Sequence, residues 1–426
     1  MTRSVLIIGN GVAGVTAARF IRKRSDHRIS IVSDETDHFY ARTALMYVYM
    51  GHLRYRDTKP YEDGFWARNR IDLVRGRILE VNTSERFATL QSGDRLPYDT
   101  LLLATGSRPV RLAWPGEDLP GVQSLYGMPD LEQMERATAG SRRAVIVGGG
   151  LIGVEMAEML HSRGIPVTFL VREASYMDHT LPPEESALVN REIREHGIDL
   201  RLGTELSTIL PDATGRAGAV ATTTAEEIAC QFVGLTVGMR PNVAFLAGSS
   251  IEMDRGVLVN EYFETSVPEV YAAGDCAQFR DPSVAHRPIE QLWYTARRHG
   301  ETVGRTIAGD RTAYDRGIFF NSARFFSLEY QTYGDVPPIP PADQETLCWQ
   351  HPRRRQLVRI NYQRGSGRVV GFNLLGVRYR QSVCEQWIRE GRLIEYVLEH
   401  LREANFDPEF EARHHRRLAN AYALQR

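Results

Sequence analysis

The sequence predicts an α/β chain with a further α+β portion at its C-terminal end. Three observations carry that prediction. An apolar run breaks into glycines at Leu6-Ile7-Ile8-Gly9-Asn10-Gly11-Val12-Ala13-Gly14, at the mouth of a helical pattern. The same device returns at Val145-Ile146-Val147-Gly148-Gly149-Gly150-Leu151-Ile152-Gly153. After residue 315 the pattern changes to aromatic β-type stretches. Strand, glycine turn and helix in that order make a Rossmann-like domain, so the prediction is two Rossmann-like domains followed by a C-terminal α+β domain.

The elements follow in order. Residues 4–9 read as a strand and 12–24 as a helix with Ala17, Ala18, Phe20 and Ile21 on its packing face. Ile29–Val32 is the next strand and completes a βαβ unit. Two β-like stretches follow at 73–81 and 86–91, then an apolar strand at Leu101–Ala104. Pro109, Pro115, Gly116, Pro120 and Gly121 mark a domain crossing. The βαβ pattern restarts at Ala144, with a helix at 151–163, a strand at 166–171 and a helix at 184–196. Gly238-Met239-Arg240-Pro241 marks the return crossing, Thr265–Asp275 reads as strand plus Gly-Asp, and a helix covers 289–308. The resulting division is 1–112 with 243–314, then 113–242, then 315–426.

In the C-terminal portion Phe319, Phe320, Phe325, Phe326, Tyr330 and Tyr333 form an aromatic β run. Strands at 356–362 and 368–375 flank a glycine turn. Trp387, Ile388, Ile394, Val397, Leu398 and Leu401 fall near helical spacing, with Glu390, Glu395, Glu399 and Glu403 among them. That pattern suits a core or partner-facing helix and leaves peripheral membrane contact open.

Composition narrows the classes. A formal charge of −1 gives no field to attract nucleic acid. No apolar stretch reaches the roughly 20 residues of a spanning helix, and the first apolar run enters a glycine turn instead of a leader cleavage site. The four cysteines, Cys230, Cys276, Cys348 and Cys384, are scattered, which predicts no metal site, no local dithiol and a cytoplasmic setting.

The glycines have separate tasks. Gly9 turns the chain, Gly11 lets backbone approach a pyrophosphate, and Gly14 lets helix and strand close up. The phosphates lie on free N–H groups at a helix N-terminus. Asp34 and Glu35 stand where an acid reaches a ribose hydroxyl. Two such sites in tandem suggest two dinucleotides with electron transfer between them.

Further stretches carry a family resemblance: Glu35 to Tyr40 and Arg42, Tyr98-Asp99 to Leu101-Leu102-Leu103-Ala104-Thr105-Gly106, Gly238-Met239-Arg240-Pro241-Asn242, and Tyr271-Ala272-Ala273-Gly274-Asp275-Cys276. The chain resembles the two-dinucleotide-binding-domain flavoproteins of the pyridine nucleotide–disulfide oxidoreductase superfamily. Its likeness is nearest to NADH–rubredoxin and ferredoxin reductases, the flavin end of nitrite reductase, coenzyme A disulfide reductases and apoptosis-inducing factor. The resemblance implies FAD on Gly9, Gly11, Val12, Ala13 and Gly14, with Glu35 on its ribose, Arg42 by its adenylate and Asp275 beside Gly274 on its ribityl chain. Ile78, Ala104, Thr105, Gly106, Trp293 and Gly238 are further cofactor contacts on the same ground. It implies NAD(P)H on Gly148, Gly150, Leu151, Ile152 and Gly153, with Glu155 at the nicotinamide. Val171 holds the place of the usual acid, and Arg172 and Glu173 follow; one arginine without a cluster favours NADH over NADPH.

The departures set the expected function. Thr43 stands where relatives carry a redox cysteine, and Tyr47 where several carry a lysine near the flavin. A hydroxyl cannot relay electrons as a thiolate does. The expectation is therefore an FAD-dependent NAD(P)H oxidoreductase, with Glu155 and Tyr47 beside the reacting rings, passing electrons directly to an iron–sulfur protein. The alternatives are a quinone or oxygen acceptor, or a redox-responsive interaction protein. The resemblance allows a homodimer. Three basic runs, Arg297-Arg298-His299, Arg353-Arg354-Arg355 and His414-His415-Arg416-Arg417, are candidate docking patches for an acidic carrier.

Overall fold

A computed structural model describes residues 2–407, 409 and 414–425. The chain forms two compact units: Met1–Arg111 with Ser124–Arg136 and Gly238–Arg316, and Leu112–Gln123 with Ala137–Val237 and Gly317–Arg426.

The first unit is built on a parallel sheet in the order Val270–Ala272, Thr100–Leu103, Ser4–Ile8, Arg28–Ser33, Ile71–Arg75. Thr100–Leu103 is buried at every residue, as expected of a strand covered on both faces. The helix Val12–Arg24 is the crossover from the first strand and lies against the helix Trp293–Ile307. A Cβ on Gly300 would come 2.3 Å from the Ala13 carbonyl oxygen, and one on Gly304 2.8 Å from that of Ala17. The two helices therefore meet backbone to backbone, a distance only glycine permits.

Three sequence expectations change in this unit. The stretch 73–81 is two strands, Ile71–Arg75 and Ile78–Asn82. The chain leaves the parallel sheet at Gly76 and joins Phe87–Leu90 and Arg95–Pro97 in an antiparallel meander. Thr265–Asp275 contains only the short strand Val270–Ala272, because side-chain and backbone bonds at Thr265, Val267 and Val270 fold the first half into a turn. The helix expected from 289 starts at Trp293; Glu290 and Gln291 precede it with their side chains bonded to His299 and Ser107.

The second unit holds a second parallel sheet, ordered Asp199–Leu202, Val167–Val171, Ala144–Val147, Phe232–Leu235, Val122–Gln123. The helices Leu151–Ser162 and Pro183–Glu195 flank its strands. The C-terminal portion is an antiparallel sheet ordered Phe320–Phe325, Leu328–Gly334, Val369–Leu375, Leu357–Gln363, Gln344–Gln350. The aromatic run is thus a hairpin, turned at Phe326 and Ser327. Gln344–Gln350, an edge strand with no strict alternation, was not expected from sequence.

The single helix expected around 387–401 is two, Gln381–Arg389 and Ile394–Ala404, broken at Gly391. Trp387, Ile394, Val397, Leu398 and Leu401 all enter the core of this sheet. Those five apolar side chains are consumed internally. No helix among the described residues is long and apolar enough to cross a membrane.

Ion pairs, one of them fully buried, join the C-terminal portion to the helix Pro183–Glu195. Arg359 donates to Glu185 and Glu184, each at 2.6 Å. Arg355 pairs with Glu192 and Glu195, and Ser327 donates to Glu192 from both backbone and hydroxyl. Arg324 reaches Glu158 at 2.6 Å.

Candidate functional site

The first glycine turn is shaped by its own packing. Gly9 has φ +117, and a Cβ there would lie 2.1 Å from the Ala104 carbonyl oxygen. A Cβ on Gly14 would lie 2.2 Å from that of Gly9. Gly11 differs, because a Cβ there would meet nothing within 4 Å. The open side of the turn is at Gly11, next to the first N–H groups of the helix at Val12 and Ala13, which have no intrahelical partner. Asn10 steadies the turn, donating to the Thr36 carbonyl at 2.9 Å.

Glu35 and Arg42 are brought together. Arg42 grips the Glu35 carboxylate with two nitrogens at 2.6 and 3.0 Å and donates to the Tyr126 carbonyl at 2.6 Å. Tyr40 and the Met128 amide also donate to Glu35. Burial works against the charge on Glu35, but Arg42, Tyr40 and Met128 together hold its carboxyl below the usual range. Gly127, absent from the sequence expectations, makes room for the pair: a Cβ there would come 2.4 Å from Glu35 Oε1.

Gly274 and Asp275 close the other side. Gly274 lies against Ala13, so the Gly-Asp turn and the first glycine turn are neighbours. Ser107 donates to Asp275 Oδ2 at 2.9 Å, and Gln291 Nε2 donates to Ser107 Oγ at 2.7 Å. Burial lifts the Asp275 carboxyl above its usual range despite the Ser107 bond. Thr105 and Gly106 continue from Ala104, and Thr105 donates to the Asn242 carbonyl at 2.8 Å. Gly238 accepts from the Val110 amide at 3.0 Å.

Ile78, Trp293, Tyr47 and Thr43 lie on separate elements of the same unit. Ile78 opens the meander with its side chain in the core. Trp293 is the first residue of its helix, half-buried with its ring 5.6 Å from that of Tyr294. Tyr47 is half-buried on the short helix Leu45–Tyr49, its ring 6.3 Å from His52. Thr43 is exposed in the preceding turn. Of the three basic runs, the first is only partly at the surface: Arg297 is exposed, whereas His299 is fully buried and Arg298 bonds to the Arg316 carbonyl. Arg355 of the second is committed to Glu192 and Glu195.

The second glycine turn is built the same way in the second unit. Gly148 has φ +112, and its Cβ position lies 2.5 Å from the Thr236 carbonyl oxygen. Thr236, unsuspected in the sequence, donates its hydroxyl to the Val147 and Gly148 carbonyls at 2.9 and 3.0 Å. A Cβ on Gly153 would come 2.5 Å from the Gly148 carbonyl oxygen. Buried Tyr176 donates to the Gly150 carbonyl at 2.8 Å, just before Leu151 and Ile152 open the helix. Only tertiary contact announces Thr236 and Tyr176, so local pattern could not.

The acid beside this turn is Glu173. Its Oε2 lies 3.5 Å from the Cβ position of Gly149, and Arg172 Nε donates to its other oxygen at 2.8 Å. Burial opposes ionisation of Glu173, yet the Arg172 bond keeps its carboxyl below the usual range. Glu155 lies one turn into the helix. Burial pushes its carboxyl up to about 7, Glu158 adds to the shift, and Arg324 opposes it. Each turn thus pairs a helix N-terminus with an acid past the second strand, a donor and acceptor set that fits a dinucleotide. Among the described residues no group of His, Cys, Asp and Glu could hold a metal ion.

Comparison with known proteins agrees. The family model for pyridine nucleotide-disulphide oxidoreductases matches residues 3–300. The chain is 31% identical over 292 residues to the ferredoxin–NAD(+) reductase component of the biphenyl dioxygenase system of Paraburkholderia xenovorans, covering 68% of this chain and 71% of that one. It is 28% identical over 338 residues to the nitrite reductase [NAD(P)H] of Bacillus subtilis, matching 78% of this chain but only 41% of that protein's length. The covalent putidaredoxin reductase–putidaredoxin complex shares the fold, with a TM-score of 0.81 at 22% identity over 99% of this chain and 98% of that one. That structure has the same two parallel sheets and C-terminal antiparallel sheet domain. The family implies FAD and NAD(P)H as cofactors. On a match that spans more than half its length, the chain belongs to the pyridine nucleotide-disulphide oxidoreductase family, as a flavin-dependent NAD(P)H oxidoreductase.

Proposed function

We propose that this protein oxidises NADH and passes the electrons, through FAD, to a small iron–sulfur protein of the rubredoxin or ferredoxin type. The observation that carries the reading is the state of the thiols. Cys230, Cys276 and Cys384 are buried, and Cys348 is half-buried. Burial raises all four, Cys230 and Cys348 to about 12. None is a thiolate at neutral pH, and Thr43 occupies the expected nucleophile position, so no cysteine stands ready to carry electrons onward. The likeness to a ferredoxin–NAD(+) reductase supports the choice of acceptor.

In this reading residues 1–112 and 243–314 hold FAD, and 113–242 hold NADH. Bound FAD takes a hydride and releases electrons singly or in pairs. The protein supplies placement. The helices Val12–Arg24 and Leu151–Ser162 would aim their N-termini at the two pyrophosphates. Asp275 and Glu35 receive hydroxyls of the ribityl chain and ribose. Glu173 faces Gly149, where it accepts from a ribose diol and repels a 2′-phosphate, which supports NADH over NADPH. Glu155, near half-protonation at neutral pH, both donates to a carboxamide oxygen and accepts from its nitrogen. Each NADH reduces two one-electron acceptors and releases one proton, so the balance closes without a thiol.

Anaerobic stopped-flow mixing tests this. NADH should bleach the flavin band near roughly 450 nm, and two equivalents of oxidised rubredoxin or ferredoxin should restore it. If neither NADH nor NADPH bleaches the band, the oxidoreductase reading fails. If only a quinone or oxygen restores it, the iron–sulfur reading fails.

A further inference from the structure

The first unit contains a buried polar cluster that the proposed chemistry does not use. His299 is fully buried, enclosed by Phe263, Phe279 and Tyr314 with ring centroids 4.8, 5.5 and 4.8 Å away. Its Nδ1 accepts the Gly274 amide at 3.2 Å, which places the ring proton on Nε2. That nitrogen lies 3.2 Å from Glu290 Oε2. Tyr314 donates to the same oxygen at 2.8 Å, and the His286 amide donates to Oε1 at 3.2 Å. Burial opposes the charge on Glu290, but its bonds to His299, Tyr314 and His286 outweigh it and hold the carboxyl below its usual range. A buried carboxylate with three donors is a rigid anchor.

Glu290 and Gln291 are consecutive, and each controls one residue of the Gly274-Asp275 turn. Glu290 acts on the Gly274 amide through His299. Gln291 acts on the Asp275 carboxylate through Ser107. The dipeptide therefore grips the turn from both sides, once on the backbone and once on the side chain. Gly300 and Gly304 seat the helix that carries His299 directly on the first glycine helix. The reach of the imidazole to Gly274 is consequently set by backbone contact and not by a flexible side-chain stack.

We propose that His299, fixed by Glu290, is a positioning residue that sets the orientation of Asp275 toward the ribityl chain of FAD. The inference rests on the FAD assignment to this unit. Glutamine can replace both ring nitrogens at similar spacing, its oxygen accepting from Gly274 and its amide donating to Glu290. Leucine can do neither.

The experiment uses the full chain, stripped of flavin and retitrated with FAD. FAD dissociation constants and flavin midpoint potentials are measured for the wild type, His299→Gln, His299→Leu and Glu290→Gln. Expected are a His299→Gln protein within about two-fold of wild type, and at least a ten-fold weaker affinity with a shifted potential for His299→Leu. Glu290→Gln, which keeps volume but loosens the anchor, should fall between them and covers the case in which His299→Leu does not fold. Folded His299→Leu or Glu290→Gln proteins with wild-type affinity and potential would overturn the inference. A His299→Gln protein as impaired as His299→Leu would also overturn it, since the two hydrogen bonds would then not be what matters. A wild type that binds no FAD overturns the cofactor assignment itself, a separate and recognisable result.

Discussion

Arg359 places its Nε 2.6 Å from Glu185 Oε1, and both side chains are shut off from solvent, 5% and 0% exposed. The arginine belongs to the antiparallel sheet and the glutamate to a helix of the second Rossmann-like domain. Burial lifts the Glu185 carboxyl above its ordinary range even with Arg359 against it. Removing Glu185 strips the buried Arg359 of its buried partner and leaves it only the half-exposed Glu184. Glu185→Ala should cost about 3–5 kcal/mol of stability, read as a lowered urea midpoint. The double change Arg359→Met with Glu185→Leu should cost much less, because it removes both charges and keeps the volume.

Glu173 should govern nucleotide choice. Glu173→Ser removes the carboxylate facing Gly149 and frees Arg172 from its 2.8 Å bond. The ratio of kcat/KM for NADPH over NADH should rise at least ten-fold, a change of about 1.4 kcal/mol in transition-state discrimination. Steady-state assays with the two nucleotides decide it; an unchanged ratio would place the selecting group elsewhere.

Glu155 should make the protein sensitive to pH. Burial holds its carboxyl at about 7 in the folded protein, above the ordinary 4.5. Stability is then full below about pH 4.5 and declines as pH rises through 7, because the unfolded chain gives up this proton first. The contribution is on the order of 3 kcal/mol. Glu155→Gln should be flatter than wild type in a denaturant series from pH 5 to 8, and its NADH affinity should lose any dependence near pH 7.

Gly127→Ala tests the Glu35–Arg42 pair. The added methyl would stand 2.4 Å from Glu35 Oε1 and 3.0 Å from an Arg42 nitrogen, so the pair must separate. FAD affinity should drop by about ten-fold or more with the fold retained, measured by flavin fluorescence on titration.

The two glycine turns were legible in the sequence because their causes are local. Gly9 and Gly148 need a left-handed backbone, and Gly14 and Gly153 need close approach, so residue type alone marks them. Glu35 and Arg42 were marked by the family resemblance, and their mutual ion pair emerges only in the fold. Thr236, Tyr176, Gly127 and Gln291 were not, since each reaches its partner through tertiary contact with nothing periodic to announce it. The helix around 387–401 was misread as one because its apolar spacing runs on across Gly391. The short reach of Val270–Ala272 was hidden because hydroxyl bonding at Thr265 competes with the strand.

The seating of Gly300 and Gly304 on Ala13 and Ala17 has a consequence for how the protein is made. The helix that completes the first domain is encoded almost at the end of it, after the whole second Rossmann-like domain. A nascent chain that has exposed the first glycine turn still lacks the surface its helix must press against. The second domain, with its parallel strands all encoded within one stretch from Val122 to Leu235, can close before the first does. The helix of the first glycine turn therefore stays half covered until the chain has been made past residue 307.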